Sequence, residues 1–124
     1  MNDNRPRNLD FRTLRLPLPA ITSILHRISG AFLFLGIALL LYLLDTSLSS
    51  AAGFAQVAQW LDQLWVKLIL WSVVAALAYH LIAGGKHLLM DMGIGESFAG
   101  GLLGAKLVIV FSALLILAAG VWLW

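Results

Sequence analysis

Two groups of polar residues interrupt a chain that is otherwise strongly apolar, and both are spaced for a helix. The first is Ser23, His26 and Arg27, in the stretch Ser23-Ile24-Leu25-His26-Arg27-Ile28-Ser29-Gly30. Ser23 and Arg27 are four apart and share a helix face, with His26 one position round, so a hydroxyl and a guanidinium point the same way. The second is His80, Gly84, His87 and Asp91, whose offsets of 4, 7 and 11 from His80 trace one continuous stripe.

Each group has a plain reading beside a chemical one. Arg27 can snorkel to lipid phosphates, Ser23 can bond its own backbone, and His26 can rest at the interface. His80 stands about six residues, or roughly 9 Å, inward of Lys86, and imidazole at that depth in a membrane needs a partner. That partner is either another helix, through a hydrogen bond worth roughly 0.6–2 kcal/mol, or the iron of a haem. Imidazole is a common axial haem ligand, and the absence of cysteine removes the competing thiolate. Ala76, Ala83 and Gly84 give the low relief that a flat macrocycle needs, although plain helix packing uses the same small residues. His87 falls near the inner interface, where Asp91, four residues on, can orient it or accept its proton. Lys86 and Arg27 are counter-charges for haem propionates at that interface.

The elements that must carry these residues are membrane helices. Of 124 residues, 61% are hydrophobic and 11% charged, and the mean hydropathy is +0.94, too apolar for a soluble domain of this length. With no cysteine, disulfides, thiolate metal sites, iron–sulfur ligation and covalent c-type haem attachment are excluded. Nothing points to nucleic acid, and the partners expected are lipid and other membrane proteins. The first seventeen or so residues are polar and are not followed by a small-residue cleavage pattern, so no removable signal peptide is expected. Asp3 and Asp10 are atypical of a mitochondrial transit peptide, which favours a bacterial inner membrane.

Ile28 to Leu44, Leu68 to Gly85 and Leu107 to Trp124 each run roughly 17 to 18 residues without Asp, Glu, Lys or Arg, about 25 to 27 Å as helix. Pro17 and Pro19 suit a helix start or the segment before it. The predicted fold is an all-α membrane protein of one domain, 1–124, with a cytoplasmic segment 1–19 and transmembrane helices at about 20–48, 66–91 and 104–124. Arg5, Arg7, Arg12, Arg15 and Arg27 precede the first span, whereas the Asp45–Lys67 loop sets two aspartates against one lysine. The basic excess predicts a cytoplasmic N-terminus and, after three crossings, a periplasmic C-terminus. Trp60, Trp65, Trp71, Trp122 and Trp124 then gather at the outer side as an interfacial belt. Asp45 and Lys67 are expected to end their spans at that surface, and Gly93 and Gly95 to mark the turn after the second helix.

These residues resemble a known family, the cytochrome b membrane-anchor subunit of succinate dehydrogenase (succinate:ubiquinone oxidoreductase). RPRNLDFRTLRLPLPAITSILHRISG is similar to that family's R-P-x-N-L-D…S-I-x-H-R-x-S-G opening. TSLSS follows the first span as in bacterial members, and AYHLIAGGKHLLMDMG resembles the H-x-x-x-G-x-R-H-x-x-x-D signature. The resemblance implies a three-helix anchor paired with a second small membrane subunit. It also implies an iron–sulfur subunit and a flavoprotein subunit, holding the iron–sulfur clusters and FAD, on the cytoplasmic face. It implies that His80 is one axial ligand of haem b, that Ser23 and Arg27 line the ubiquinone site, and that His26 lies near the propionates and the quinone. Lys86 stands where the family has arginine; it keeps a point charge but loses the bidentate fork. His87 and Asp91 match the remaining positions, and His26 or Asp91 is a candidate relay for protons reaching the quinone through water. On this reading the chain is a non-flavin subunit of an oxidoreductase, inactive alone, serving electron transport and the tricarboxylic acid cycle. Three rivals are an anchor of a quinol:fumarate reductase, a structural anchor in which His80 only packs helices, and a haem-free transporter subunit. Polar residues confined to one end of the spans give little support to a transport path.

Overall fold

A computed structural model describes Asp10 and residues 12–124, all of whose regular structure is helical. Arg5, Pro6, Asn8 and Leu9 of the first signature lie outside the described residues. The helices are α1 (Leu18–Ser49), α2 (Ala51–Leu61), α3 (Leu64–Asp91) and α4 (Phe98–Leu123). Three of them, α1, α3 and α4, are long and apolar enough to cross a membrane.

Local sequence explains where each begins and ends. Pro17 caps α1 in extended conformation, its carbonyl accepting from the Ala20 and Ile21 amides at 3.0 and 3.2 Å. Pro19 sits in the first turn, where its missing N–H has no helical partner to lose. Ser50, extended at φ −170°, ends α1 and opens α2, its Oγ accepting from the Gly53 amide at 2.9 Å. A Cβ on Gly53 would run into the Thr46 carbonyl, so only glycine permits this close reversal. Gly93 and Gly95, both at positive φ (81° and 76°), turn the chain after α3. The Ile94 amide reaches back to the Leu89 carbonyl (2.9 Å), and Ser97 Oγ caps α4 by accepting from Gly100 at 3.0 Å.

Two expectations are modified. The stretch between the first two spans is not an open loop, because α2 fills most of it. The connection before the last span is only Met92–Ser97, because α4 starts at Phe98 and not near 104. Charged residues can occupy a helix once it has left the hydrocarbon, so charge marks the membrane edge and not the helix end.

The spans pack antiparallel in sequence, with α3 against both α1 and α4. Each contributes a narrow stripe: Thr22, Ser29, Leu33 and Gly36 from α1; Val66, Leu70, Val73 and Ala83 from α3; Gly101, Ala105, Val108 and Ser112 from α4. Small residues in these stripes let the helices approach closely, as membrane helices do when apolar burial alone cannot drive association. A Cβ on Gly36 would stand 2.8 Å from Val73 Cγ1. At one end Trp71 joins α3 to α4, its indole N–H donating to the Ile116 carbonyl at 2.9 Å and its ring edge-on to Trp124 at 6.2 Å. Tyr42 and Trp60 stack at the same end, 6.3 Å apart. Only 17% of each span's most apolar window is buried within the chain, which leaves the outer faces uncovered.

Candidate functional site

The opposite end holds the polar residues, where the first half of α1 lies against the last half of α3. Thr22 and Ser29 are buried on α1, and His26, between them, is half-buried. The Tyr79 hydroxyl donates to the Thr22 carbonyl at 2.7 Å and ties the two helices together. Beside it the rings of His26 and His80 stack with centroids 4.1 Å apart and planes 13° from parallel. His87 approaches His26 at 5.1 Å with its plane tilted by 51°. Glycine permits this contact from both sides. A Cβ on Gly30 would be 3.0 Å from His80 Cε1, and one on Gly84 would be 3.3 Å from His26 Nε2.

The hydrogen bonds around His80 favour one tautomer. Its Nδ1 lies 3.0 Å from Ser29 Oγ and 3.2 Å from the His26 carbonyl oxygen. The Ser29 hydroxyl donates its single proton to that same carbonyl at 2.7 Å. A carbonyl can only accept, and a serine that has given up its proton can only accept again, so Nδ1 carries the hydrogen. Nε2 is then the lone-pair nitrogen. It makes no hydrogen bond among the described residues. An imidazole whose far N–H is held by a carbonyl, with the other nitrogen free, has the second-shell arrangement of a metal-ligating histidine.

The donor set fits one axial ligand to a haem and does not fit a bare ion. No group of three or more His, Cys, Asp or Glu among the described residues converges to hold a metal ion. The imidazoles of His26 and His80 lie flat on each other and do not point to one centre. His26 Nε2 is buried beside Gly84 and without a hydrogen-bond partner among the described residues.

The other residues singled out from sequence are placed as follows. Ser23 is half-buried and Arg27 exposed, on α1 beside the histidines but in no hydrogen bond to them. Asp91 is exposed at the last position of α3. Lys86 stands apart: its six-residue offset puts it about 120° round α3 from His80, and its stem lies on α4, where a Cβ on Gly104 would meet Lys86 Cε at 3.2 Å. Ser29, Gly30 and Tyr79 were not anticipated. Ser29 is three residues after His26 and so on the same face, which is the signal that would have nominated it.

Comparison with known proteins places this geometry in context. Residues 1–119 match the family described as succinate dehydrogenase/fumarate reductase transmembrane subunit. The chain is 45% identical over 125 residues, covering all of both chains, to the succinate dehydrogenase cytochrome b556 subunit of Coxiella burnetii. It is 43% identical over 93 residues to the subunit of the same name from Paracoccus denitrificans, covering 74% of this chain and 71% of the relative.

Proposed function

The chain belongs to the succinate dehydrogenase/fumarate reductase transmembrane-subunit family and is a multi-pass membrane anchor, and on that premise we propose that it shares a haem b with a second small anchor subunit and forms part of a ubiquinone-reducing site. The observation that carries the haem reading is His80, whose Nδ1–H is held by the His26 carbonyl and Ser29 Oγ while Nε2 stays free. The name cytochrome b556 borne by both relatives supports a b-type group. His80 would hold the haem iron from this chain, and the partner anchor would supply a second ligand.

When bound, haem supplies a one-electron redox centre between the two anchors. Gly30 and Gly84 leave room for the imidazoles of His80 and His26, and His26 and His87 would be the polar groups nearest the propionates. Lys86 faces α4 instead.

Ser23 and Arg27 present a hydroxyl and a guanidinium toward ubiquinone, where fixed donors stabilise charge that develops on a quinone oxygen during reduction. His26 or Asp91 passes protons to that oxygen through interfacial water. Electrons arrive from the iron–sulfur subunit, fed by succinate oxidation in the flavoprotein, on the cytoplasmic side of a bacterial inner membrane. The five arginines before the first span support that orientation, with the tryptophan end outward. Both relatives are named for the dehydrogenase, which favours succinate oxidation over the reverse reaction, and family membership favours the anchor over a transporter subunit.

The test is a dithionite-reduced minus oxidised spectrum of the complex purified through this chain in mild detergent. A b-type band accompanied by three co-purifying proteins is expected, and His80→Leu should abolish the band. A colourless wild-type complex with its partners attached would overturn the haem reading. Ser23→Ala and Arg27→Leu should slow quinone reduction while leaving succinate oxidation by a soluble dye at the wild-type rate; unchanged quinone turnover would overturn the pocket.

A further inference from the structure

On the side of α3 turned away from the histidines, a groove runs between α3 and α4. Three cavities follow one another along it, about 230, 320 and 400 Å³ in volume. The first two share Lys86, Leu89, Gly104 and Leu107, and the second meets the third at Leu81. The walls are aliphatic almost throughout, and Trp122 stands at the far end. Gly85 forms part of the floor, and a Cβ there would meet nothing within 4 Å. Gly85 lies about 140° round α3 from His80, so the groove is separate from the histidine cluster.

One charge lies in this groove. Lys86 is half-buried, its stem laid over Gly104, five residues before the end of α3. No carboxylate among the described residues pairs with it. A lysine stem on apolar surface with its ammonium near a helix end is a snorkelling cation, and an unpaired one attracts an anion at headgroup depth.

We infer that the α3–α4 groove binds an anionic phospholipid, with Lys86 on the headgroup phosphate and an acyl chain lying along the groove towards Trp122. The chemistry has two matching parts. A long apolar trough open to the bilayer takes a hydrocarbon chain, and a single ammonium near its mouth selects negative headgroups; basic pockets between membrane helices hold anionic lipid in this way. A neutral lipid satisfies the trough and leaves Lys86 unpaired. A protein helix would need small residues opposite Leu81, Leu89 and Leu107, all exposed here, and a carboxylate to meet the lysine. The inference uses the membrane setting of the family and does not depend on haem or quinone.

The experiment uses the complete complex in phosphatidylcholine nanodiscs, with trace phosphatidylglycerol or phosphatidylcholine carrying a photoactivatable group on one acyl chain, and cross-links mapped by peptide mass spectrometry. Phosphatidylglycerol is expected to label the groove about fivefold more than phosphatidylcholine does, the factor that ~1 kcal/mol per basic residue at an anionic surface represents. Lys86→Gln should remove that preference and Lys86→Arg should keep it. Gly85→Leu, which meets no protein atom at its Cβ, should fill the trough and cut labelling by both lipids. Equal labelling by the two lipids, a preference that survives Lys86→Gln, or cross-links from the groove to another subunit would each overturn the inference. Haem content of the same samples, read separately, distinguishes a failure here from a failure of the haem reading.

Discussion

Ser29→Ala tests the proposed role of His80 most sharply, because it alters the support of the imidazole and leaves the imidazole itself in place. Ser29 Oγ accepts from His80 Nδ1 at 3.0 Å, and the His26 carbonyl remains as a second acceptor at 3.2 Å. Removing the hydroxyl therefore loosens the ring without orphaning its N–H. Interhelical hydrogen bonds in membranes average ~0.6 kcal/mol with a maximum near 1.7, which corresponds to about 3- to 18-fold in an equilibrium constant. Loss of an outer-shell partner to a metal-ligating histidine gives about 10- to 100-fold in affinity, and the surviving carbonyl points to the lower end. The expectation is haem release about tenfold more favourable than in the wild type, with the protein still assembled. The assay is haem transfer from the purified complex to excess apomyoglobin, followed by visible absorbance, with subunit stoichiometry checked on a gel. A change below twofold, in a complex where His80→Leu abolishes the haem band, would refute the argument that Ser29 and the carbonyl jointly hold the imidazole.

Gly36→Ala places a methyl 2.8 Å from Val73 Cγ1, and Val73 is stiff and buried; a loss of about 1–3 kcal/mol in detergent unfolding is expected, with recovery in the double variant Gly36→Ala/Val73→Ala. Trp71→Phe removes the donor to the Ile116 carbonyl and should lower stability by roughly 0.6–1.7 kcal/mol, with faster hydrogen exchange confined to the end of α4. Ser112→Ala should leave the melting temperature unchanged or raised, since Ser112 Oγ is buried without a partner and removing such a group relieves a desolvation penalty of about 1–3 kcal/mol; a lower melting temperature would mean that the hydroxyl is bonded in the membrane.

Much of the architecture is written locally. The three apolar runs, the helix start at Pro17, the turn at Gly93 and Gly95 and the common end of the tryptophans follow from composition, backbone restriction and alternation, none of which requires knowing a neighbour. The stripe His80, Gly84, His87 was legible for the same reason, since 100° per residue is a property of one helix. The same arithmetic places Lys86 off the stripe, but only the packing of α4 shows what it meets there. Other features depended on residues far apart in the chain. α2 lies between the first two spans, and at 11 residues it is too short to register in a search for membrane segments. Ser29 looks like any hydroxyl in a membrane helix until α3 brings His80 to it, 51 residues away. The stack of His26 on His80 likewise needs Gly30 and Gly84 to face each other's histidines across the α1–α3 contact. Sequence alone determined which faces of this protein are polar, small or apolar, because periodicity is local. Tertiary structure decided which faces meet, and with that the tautomer of His80 and the separation of Lys86 from it, because those depend on distances between helices that no single helix encodes.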